Sequence, residues 1–526
     1  MSGVTRREFL LSLAALPMVK LAIPPVVRGL TTGLAAPQGQ TGEAQTEDAS
    51  RPNILMIVFD AFSAHNISLY GYHRATTPNL SRLAERATVF HQHYAGGNYT
   101  TPGTSTLLTG TYPWTHRAAH HFGHVRAAVA PNNVFNLMPD DYYKVAYSHN
   151  PLALAVLTEF MGYIDYLPPR SALTLSDQLW SDVLFPHDYP VAVHAERVFA
   201  GQNRPSSAPF LRALQFFTMR AATRRNRRKY GEQFPRHVPN APFDADFLLE
   251  DAVNWVTELT TTVSHPYFGY VHLIPPHAPY NTRADFVDIF KDDWTPPQKE
   301  DNPYFTEGAK PQEMIENRRQ YDEYVAYVDA EFGRLFDQLE RSGALENTYL
   351  IMTSDHGEMF ERGYSGHGGL PLYDPVIHIP LMVWKPGQTQ RVDITERTSA
   401  VDILPTLLHL TGQPIPDLCE GIVLPTFSDA ARPADRSVFS VESKLNSAFT
   451  PITVATMTLY QDRYKLIQYT GYEQLPGGAP YYELFDLTND PDELENLFTA
   501  KKTLGEELGT ELAHRVDIAN ASLKRS

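Results

Sequence analysis

The chain has 526 residues, and its 60 acidic side chains outnumber its 44 lysines and arginines, giving a formal net charge of −16. This acidity argues against nucleic acid as a partner, because binding to a phosphate backbone depends on clustered cationic side chains. The single cysteine, Cys419, excludes an intrachain disulfide framework but leaves an extracytoplasmic location open. A composition that is 43% hydrophobic and 20% charged is typical of a globular protein with a large core.

The N-terminal segment has the pattern of an export signal. Arg6 and Arg7 precede an apolar stretch at 9–21, which is the order found in twin-arginine signals. Residues 1–36 are therefore predicted to be a twin-arginine signal peptide, and the polar residues 37–50 a linker. The sequence thus predicts export by the twin-arginine route to the periplasm, the cell surface or the medium.

The first strong structural pattern is an apolar run at 54–59 that ends in Asp60. Six consecutive apolar residues predict a central parallel strand that is buried on both faces, with a carboxylate at its carboxyl end. The alternative is that Asp60 caps a helix.

A hydroxyl-rich segment follows at 98–110. Pro102 favours the first turn of a helix, so Thr100 or Thr101 is predicted to cap a helix that begins near Pro102. A hydroxyl there lies in the positive field of the helix N-terminus, which stabilises an anionic oxygen. A simple helix cap is the alternative, and both interpretations can hold together.

Basic residues cluster between Arg220 and Lys229, after apolar residues between Phe210 and Phe217. The favoured interpretation is a solvated basic helix. The alternative is a surface at 210–229 that contacts a membrane through anionic lipid headgroups, or an acidic substrate.

A second apolar run, at 349–352, leads into Asp355 and His356. A buried strand there would place a carboxylate and an imidazole together at the carboxyl edge of a parallel sheet, where ligands and metals bind. Asp oxygen combined with His nitrogen suits Mn or Zn better than an ion that prefers only oxygen. Further strands are predicted near 145–148, 267–274 and 379–384, and alternating patterns at 464–467 and 482–485 predict antiparallel strands in the C-terminal part of the chain.

Several motifs, in this order along the chain, resemble the sulfatase branch of the alkaline phosphatase superfamily. That branch also contains phosphonate monoester hydrolases and Thr-dependent phosphoglycerol and phosphoethanolamine transferases. The motifs are Arg51-Pro52-Asn53-Ile54, Thr77-Pro78-Asn79-Leu80, Thr100-x-Pro102, Leu107-Leu108-Thr109-Gly110, His277-Ala278-Pro279-Tyr280, Asp355-His356-Gly357-Glu358 and Glu483-Leu484-Phe485-Asp486-Leu487.

The resemblance spans about 51–500 and implies an α/β fold of the alkaline phosphatase type. Its mixed, mostly parallel sheet is flanked by helices, and a smaller C-terminal α+β subdomain follows. The implied boundaries are 51–415 for the catalytic domain, with a basic insertion at about 185–240, and 416–526 for the subdomain.

The resemblance also implies site residues. Asp60, Asp355 and His356 match ligands of one divalent metal ion, with Mn or Zn favoured and Ca or Mg left open. Thr100 matches the nucleophile, which also contacts the metal, and His277 matches a histidine that binds the transferred anion or protonates the leaving group.

Other residues have weaker assignments. His367 is a candidate additional metal ligand or substrate-anion contact, and the alternative is a residue of a flexible surface loop. His149 is a candidate substrate contact in the Ser148-His149-Asn150 segment, which stands where the family has Lys-x-His. His272 is interpreted as structural. Thr101 and Ser105 are rivals of Thr100 as nucleophile.

Departures from the family pattern favour phosphoester chemistry. The nucleophile position holds Thr100 and not a cysteine, so formylglycine cannot form there, and Thr104, Leu370 and Ala61 replace the expected Arg, Lys and second Asp. A formylglycine hydrate expels sulfate by collapsing to an aldehyde. A Thr sulfate cannot lose its sulfate in this way. A Thr phosphate can instead be displaced by a metal-activated water or alcohol.

The predicted function is a secreted, metal-dependent hydrolase or transferase that acts on small-molecule or lipid-headgroup phosphoesters through a covalent Thr intermediate. A sulfatase that works without formylglycine is the alternative. A further alternative is a binding protein that keeps the fold without catalysis.

Overall fold

A computed structural model of the chain describes residues 51–121, 123–175, 209–240, 245–264, 266–429 and 436–523. The predicted signal peptide, the linker and a large part of the predicted insertion lie outside the described residues. Along the described part of the chain, no helix combines the length and apolar character that crossing a membrane requires.

The described residues form fifteen strands, which are named here in chain order. They are β1 (Asn53–Phe59), β2 (Thr88–Phe90), β3 (His93–Tyr94), β4 (Tyr143–Ser148), β5 (Tyr267–Leu273), β6 (Thr348–Ser354), β7 (Met359–Glu361), β8 (Tyr364–Gly366), β9 (Leu381–Trp384), β10 (Val392–Ile394), β11 (Thr398–Ser399), β12 (Val438–Glu442), β13 (Ala455–Gln461), β14 (Tyr464–Thr470) and β15 (Tyr481–Asp486).

The α-helices of the described residues are named in the same way. They are α1 (Pro78–Ala84), α2 (Thr100–Thr109), α3 (Pro113–His116), α4 (Val134–Leu137), α5 (Pro151–Glu159), α6 (Pro209–Tyr230), α7 (Leu249–Thr262), α8 (Pro311–Arg341), α9 (Asp374–Ile377), α10 (Ile403–Leu410) and α11 (Lys502–Leu523).

The core of the fold is a seven-stranded sheet in the order β10-β2-β9-β6-β1-β5-β4. Strand β1 pairs in parallel with β5 and β6, and β4 pairs in parallel with β5, whereas β9 runs antiparallel to both of its neighbours. This confirms the predicted mixed, mostly parallel sheet. The five predicted strands of this sheet lie within two residues of their observed bounds, but the short strands β2 and β10 were not predicted.

Helices cover both faces of this sheet. Leu55, Ile57 and Phe59 of β1 pack in a core shared with α1, α7 and α8. The alternate residues Ile54 and Met56 pack in a second core with α2, α4, α5 and α10. This burial on both faces explains why β1 is apolar at every position and does not alternate.

A four-stranded antiparallel sheet, β12-β13-β14-β15, forms the C-terminal part of the fold. Helix α11 packs against it through Leu508 and Leu512. The predicted strands at 464–467 and 482–485 lie inside β14 and β15. The domain boundary at 415/416 remains a prediction.

The start of α2 corrects one sequence prediction. The helix begins at Thr100, and Tyr99 occupies the capping position with an extended backbone and no side-chain hydrogen bond to the helix. The prediction that Thr100 or Thr101 caps a helix starting near Pro102 is therefore wrong by two residues. Thr100 still lies at the N-terminus, in the first turn of the helix.

Candidate active site

The carboxyl ends of β1 and β6 place three predicted metal ligands together. The two strands are parallel neighbours with Phe59 opposite Ser354, so Asp60 and Asp355 leave the sheet at the same edge. Asp60, Asp355 and His356 are fully buried, and they offer ligand atoms that all lie within 4.8 Å of one another. Asp60 begins a turn and not a helix, so its alternative interpretation as a helix cap is wrong.

His272 also lies at this cluster, which the sequence interpretation missed. It is the penultimate residue of β5, the other neighbour of β1, and it is fully buried. Its Nε2 is 3.4 Å from Asp60 Oδ2 and 3.5 Å from Asp355 Oδ2. The signal that could have located it is its position near the carboxyl end of a predicted parallel strand.

Four buried polar atoms of the cluster have no hydrogen-bond partner. They are Asp60 Oδ1, His272 Nε2, Asp355 Oδ2 and His356 Nε2. A buried polar atom without a partner costs about 1–3 kcal/mol, and more when the group is charged. Two carboxylate groups, each approached by the same two imidazole nitrogens, offer the donor set of a divalent metal site, so these residues fit the metal ion that the sequence predicts.

Hydrogen bonds to the remaining atoms orient these ligands. The backbone N–H groups of Ala61 and His356 donate to Asp355 Oδ1 at 3.3 and 2.9 Å. The other ring nitrogen of His356, Nδ1, lies 2.9 Å from the carbonyl oxygen of Gly357. Such outer contacts fix the direction of metal-binding side chains.

The charges of the cluster depend strongly on one another. Burial raises the pKa of Asp355, and the facing carboxylate of Asp60 raises it further. Burial opposes ionisation of Asp60 too, but the nearby His277, His272 and His356 keep its pKa well below the usual range. Burial also disfavours a charged His356, yet the two carboxylates raise its pKa to about 9. Binding of a cation here would therefore release a proton.

Thr100 is tied to the cluster by Asn150. The side-chain amide of Asn150 donates to Thr100 Oγ1 at 3.1 Å, and it also donates to Asp60 Oδ2. Asn150 is the capping residue of α5, where its Oδ1 accepts from the N–H of Leu152 at 2.7 Å. Sequence reasoning named the 148–150 segment but selected only His149, because an Asn before a helix is explained by capping alone.

Close packing brings the first turn of α2 against Asp355. A Cβ added to Gly103 would lie 2.3 Å from the backbone oxygen of Asp355, so only glycine permits this approach. The rival hydroxyls of Thr101 and Ser105 are also buried, but neither has a hydrogen-bond partner. Of these three hydroxyls, Thr100 is therefore the one that is linked to Asp60.

His367 and His277 extend the cluster toward the protein surface. The ring centroids of His356 and His367 are 4.4 Å apart, and those of His367 and His277 are 4.6 Å apart. His367 Nδ1 lies 2.8 Å from Glu358 Oε1, and burial lowers the pKa of His367 although Glu358 opposes this. His277 is only half-buried, which suits contact with a substrate.

The ring of His149 makes no hydrogen bond to the cluster in the described residues. Its ring stacks on Phe247 at 4.1 Å, and both ring nitrogens are buried without a hydrogen-bond partner. Burial lowers its pKa to about 3, so the ring is neutral. In the described residues it makes no hydrogen bond or ion pair through its ring to the cluster, and its predicted substrate contact stays a prediction.

A second group of potential ligands lies elsewhere, at a cavity of about 970 Å³ whose lining includes Tyr94 of β3 and the turn between β13 and β14. It consists of His65, Asp374 and His378. Here the carboxylate already has strong partners, because Asp374 Oδ1 accepts from Lys465 Nζ at 2.8 Å and from the Tyr460 hydroxyl at 2.6 Å. This group therefore differs from the strand-end cluster, where the ligand atoms are unpartnered.

Comparisons with known proteins agree with this architecture. The family model described as Sulfatase matches residues 52–413, and the model described as N-sulphoglucosamine sulphohydrolase, C-terminal, matches residues 370–520. The chain belongs to the sulfatase family. The predicted family resemblance is thereby confirmed.

The relatives of this sulfatase-family protein are named for different activities. It is 23% identical over 513 residues to arylsulfatase K of Bos taurus, covering 89% of this chain and 82% of that protein. It is 24% identical over 504 residues to the multifunctional alkaline phosphatase superfamily protein PehA of Trinickia caryophylli, covering 85% and 91%. The phosphonate monoester hydrolase structure from Agrobacterium radiobacter has a TM-score of 0.63 at 19% identity, covering 90% and 96%. This structural similarity confirms the predicted fold.

Proposed function

We propose that this sulfatase-family hydrolase cleaves phosphoesters through a covalent phosphothreonine at Thr100 and depends on a divalent metal ion. The observation that carries the proposal is the placement of the Thr100 hydroxyl. It lies at a helix N-terminus and is joined through one Asn150 amide to Asp60, whose Oδ1 is one of the four unpartnered atoms.

Asp60, Asp355, His356 and the Thr100 hydroxyl would hold the metal. When bound, a divalent cation supplies Lewis-acid stabilisation of negative charge on the transferred group and favours ionisation of a hydroxyl beside it. An imidazole among the ligands favours Mn or Zn over Ca or Mg.

The first half of the reaction uses Thr100 and His277. Thr100 Oγ1 loses its proton to solvent and attacks phosphorus, and the bond from phosphorus to the leaving oxygen breaks. Protonated His277 gives its proton to the leaving oxygen. The dipole of α2 stabilises negative charge at Oγ1, because Thr100 lies in the first turn of this helix.

The second half releases the phosphoryl group. A water or alcohol attacks phosphorus from the opposite side, gives its proton to neutral His277, and the bond from phosphorus to Oγ1 breaks. Thr100 regains a proton from solvent. The same residues thus serve a hydrolase and a transferase, which differ only in the acceptor.

Phosphate is favoured over sulfate because position 100 is a threonine. The lone cysteine is Cys419, so formylglycine cannot form at position 100, and release of sulfate by collapse to an aldehyde is excluded there. The alternative is a sulfatase that uses Thr100 without formylglycine, and the similarity to arylsulfatase K favours this alternative.

The substrates that fit this proposal are small-molecule or lipid-headgroup esters. Helix α6 presents the exposed side chains of Arg224, Arg227, Arg228 and Lys229, a cationic surface that suits anionic lipid headgroups. In this proposal the 210–229 segment contacts a membrane surface. Export by the twin-arginine route, on the basis of Arg6 and Arg7, would place the enzyme outside the cytoplasm.

A substrate panel tests the proposed function. Aryl phosphate monoesters, phosphate diesters, phosphonates and sulfates are compared with Mn, Zn, Mg and Ca, using the wild type and Thr100→Ala. We expect the highest kcat/KM on a phosphoester or phosphonate and loss of turnover in the variant. Highest activity on sulfates would favour the alternative, and no turnover of any compound would contradict both.

A further inference from the structure

Residue 61 leaves the metal site short of one ligand. The sulfatase pattern has a second aspartate after the first, but here the residue is Ala61. Its backbone is left-handed, with φ of 58°. Its N–H donates to Asp355 Oδ1, and its carbonyl accepts from the Tyr321 hydroxyl at 2.7 Å. Ala61 therefore orients a neighbouring ligand but has no side-chain atom that can bind a cation.

His272 lies on β5, which is the neighbour of β1 on the side away from β6, and it offers a ligand atom at the same cluster. Its Nε2 is buried, has no hydrogen-bond partner and faces both Asp60 and Asp355. Its Nδ1 lies 3.1 Å from the Tyr270 hydroxyl oxygen. When Nδ1 carries the proton and donates it to that hydroxyl, the lone pair of Nε2 points into the cluster, as in metal-binding histidines whose other nitrogen is held by an outer partner.

We propose that His272 is a fifth protein side chain on the metal, in addition to Asp60, Asp355, His356 and the Thr100 hydroxyl, and that it replaces the ligand missing at Ala61. This inference rests on the proposed metal dependence. It assigns a role to a residue that the sequence interpretation considered structural.

The exchange changes the chemistry of the site. Two carboxylates, two imidazoles and the Thr100 hydroxyl form a mixed nitrogen and oxygen set that selects Zn²⁺ or Mn²⁺ over Ca²⁺, which prefers six to eight oxygen ligands. Replacement of a third carboxylate by a neutral imidazole also removes one negative charge. The site then repels a doubly charged phosphate monoester less than a site with three carboxylates would.

The test measures metal binding and needs no turnover. Full-length protein is freed of metal with a chelator and titrated with Zn²⁺, Mn²⁺ and Ca²⁺ by calorimetry, and the visible spectrum of its Co²⁺ form is recorded. In His272→Gln we expect Zn²⁺ and Mn²⁺ affinities to fall about 10–100-fold, with a changed Co²⁺ spectrum. Wild-type affinity and spectrum in this variant would overturn the proposal.

His93→Gln is the matched control. His93 is also fully buried, its Nδ1 lies 2.9 Å from Thr398 Oγ1, and its Nε2 has no hydrogen-bond partner. No carboxylate of the described residues forms an ion pair with it, so its substitution should leave metal binding unchanged. An equal loss of affinity in both variants would show a general folding defect and would overturn the assignment.

A measurement on the wild type covers the case in which His272→Gln does not fold. In the Co²⁺ protein, each bound imidazole with a protected N–H gives a strongly shifted proton resonance. We expect two, from the Nδ1 protons of His272 and His356, and a single one would contradict the proposal. Asp355→Asn tests the metal site itself, apart from the role of His272. If metal binding is lost in Asp355→Asn but retained in His272→Gln, the proposed metal site is supported and only the role of His272 is rejected.

Discussion

The side-chain amide of Asn150 donates to Thr100 Oγ1 at 3.1 Å and also to Asp60 Oδ2. One amide group therefore fixes the distance between the proposed nucleophile and a proposed metal ligand. Because Nδ2 of Asn150 can only donate, it leaves the hydroxyl proton of Thr100 free to depart and stabilises the oxygen that remains.

Asn150→Ser should lower kcat by about 10²–10³-fold with little change in KM, because removal of one donor at a developing charge has an effect of this size. Serine keeps the capping function at the start of α5. The control is Asn133→Ser at the start of α4, where the Asn133 side chain accepts from the N–H of Asn136 at 3.0 Å. Steady-state kinetics on the best substrate should show a loss in the first variant alone, and equal rates in both would reject the role of Asn150.

His277→Ala should slow poor leaving groups more than good ones. A phenolate such as 4-nitrophenolate leaves without a proton, whereas an alkoxide needs one, so general-acid catalysis matters most for alkyl phosphates. We expect kcat/KM to fall about 10²–10⁴-fold for an alkyl phosphate and much less for 4-nitrophenyl phosphate. A loss of the same size for both substrates would indicate that His277 binds the transferred anion and does not protonate the leaving group.

His116 should make the folded state less stable at low pH. It is fully buried, and burial, with Arg117 nearby, lowers its pKa from 6.5 to about 3. Below pH 6.5 the unfolded chain binds a proton at this residue and the folded chain does not. The free energy of unfolding therefore decreases by about 1.4 kcal/mol for each unit by which the pH is lowered. Urea unfolding midpoints at pH 7.5 and 5.5 should therefore differ less in His116→Gln than in the wild type. An equal difference would contradict this account.

Arg6→Lys together with Arg7→Lys should keep the protein in the cytoplasm, because the paired arginines precede the apolar stretch that the twin-arginine route reads. The purified variant should retain its activity in vitro. Cell fractionation followed by immunoblotting checks this, and normal export of the double variant would reject the twin-arginine prediction.

The elements that sequence patterns predicted best are those whose pattern has one physical cause. An unbroken apolar run before Asp60, and another before Asp355, require strands buried on both faces, and parallel strands bring their carboxyl ends to one edge. The Asp60, Asp355 and His356 cluster was predictable for this reason. Strands β2 and β10, with three residues each, are too short to produce a pattern.

His272 and Asn150 were missed because their local sequence has a sufficient ordinary explanation. A histidine within a strand gives no sign of which neighbouring strand it faces, and an asparagine before a helix is explained by capping. Only the order β6-β1-β5 shows that His272 and Asp355 approach Asp60 from opposite sides. The start of α2 was misplaced because Pro102 is its third residue and not its first.

The most direct test of the central claim is mass spectrometry of the enzyme quenched in acid during turnover of an aryl phosphate. A peptide containing Thr100 should gain one phosphoryl group, and fragmentation should locate it on Thr100. Thr100→Ala should give no phosphopeptide and no turnover although it folds, while Thr101→Ala should give both. Phosphate on Thr101 or Ser105, or near wild-type turnover of Thr100→Ala with no phosphopeptide, would contradict covalent catalysis from Thr100.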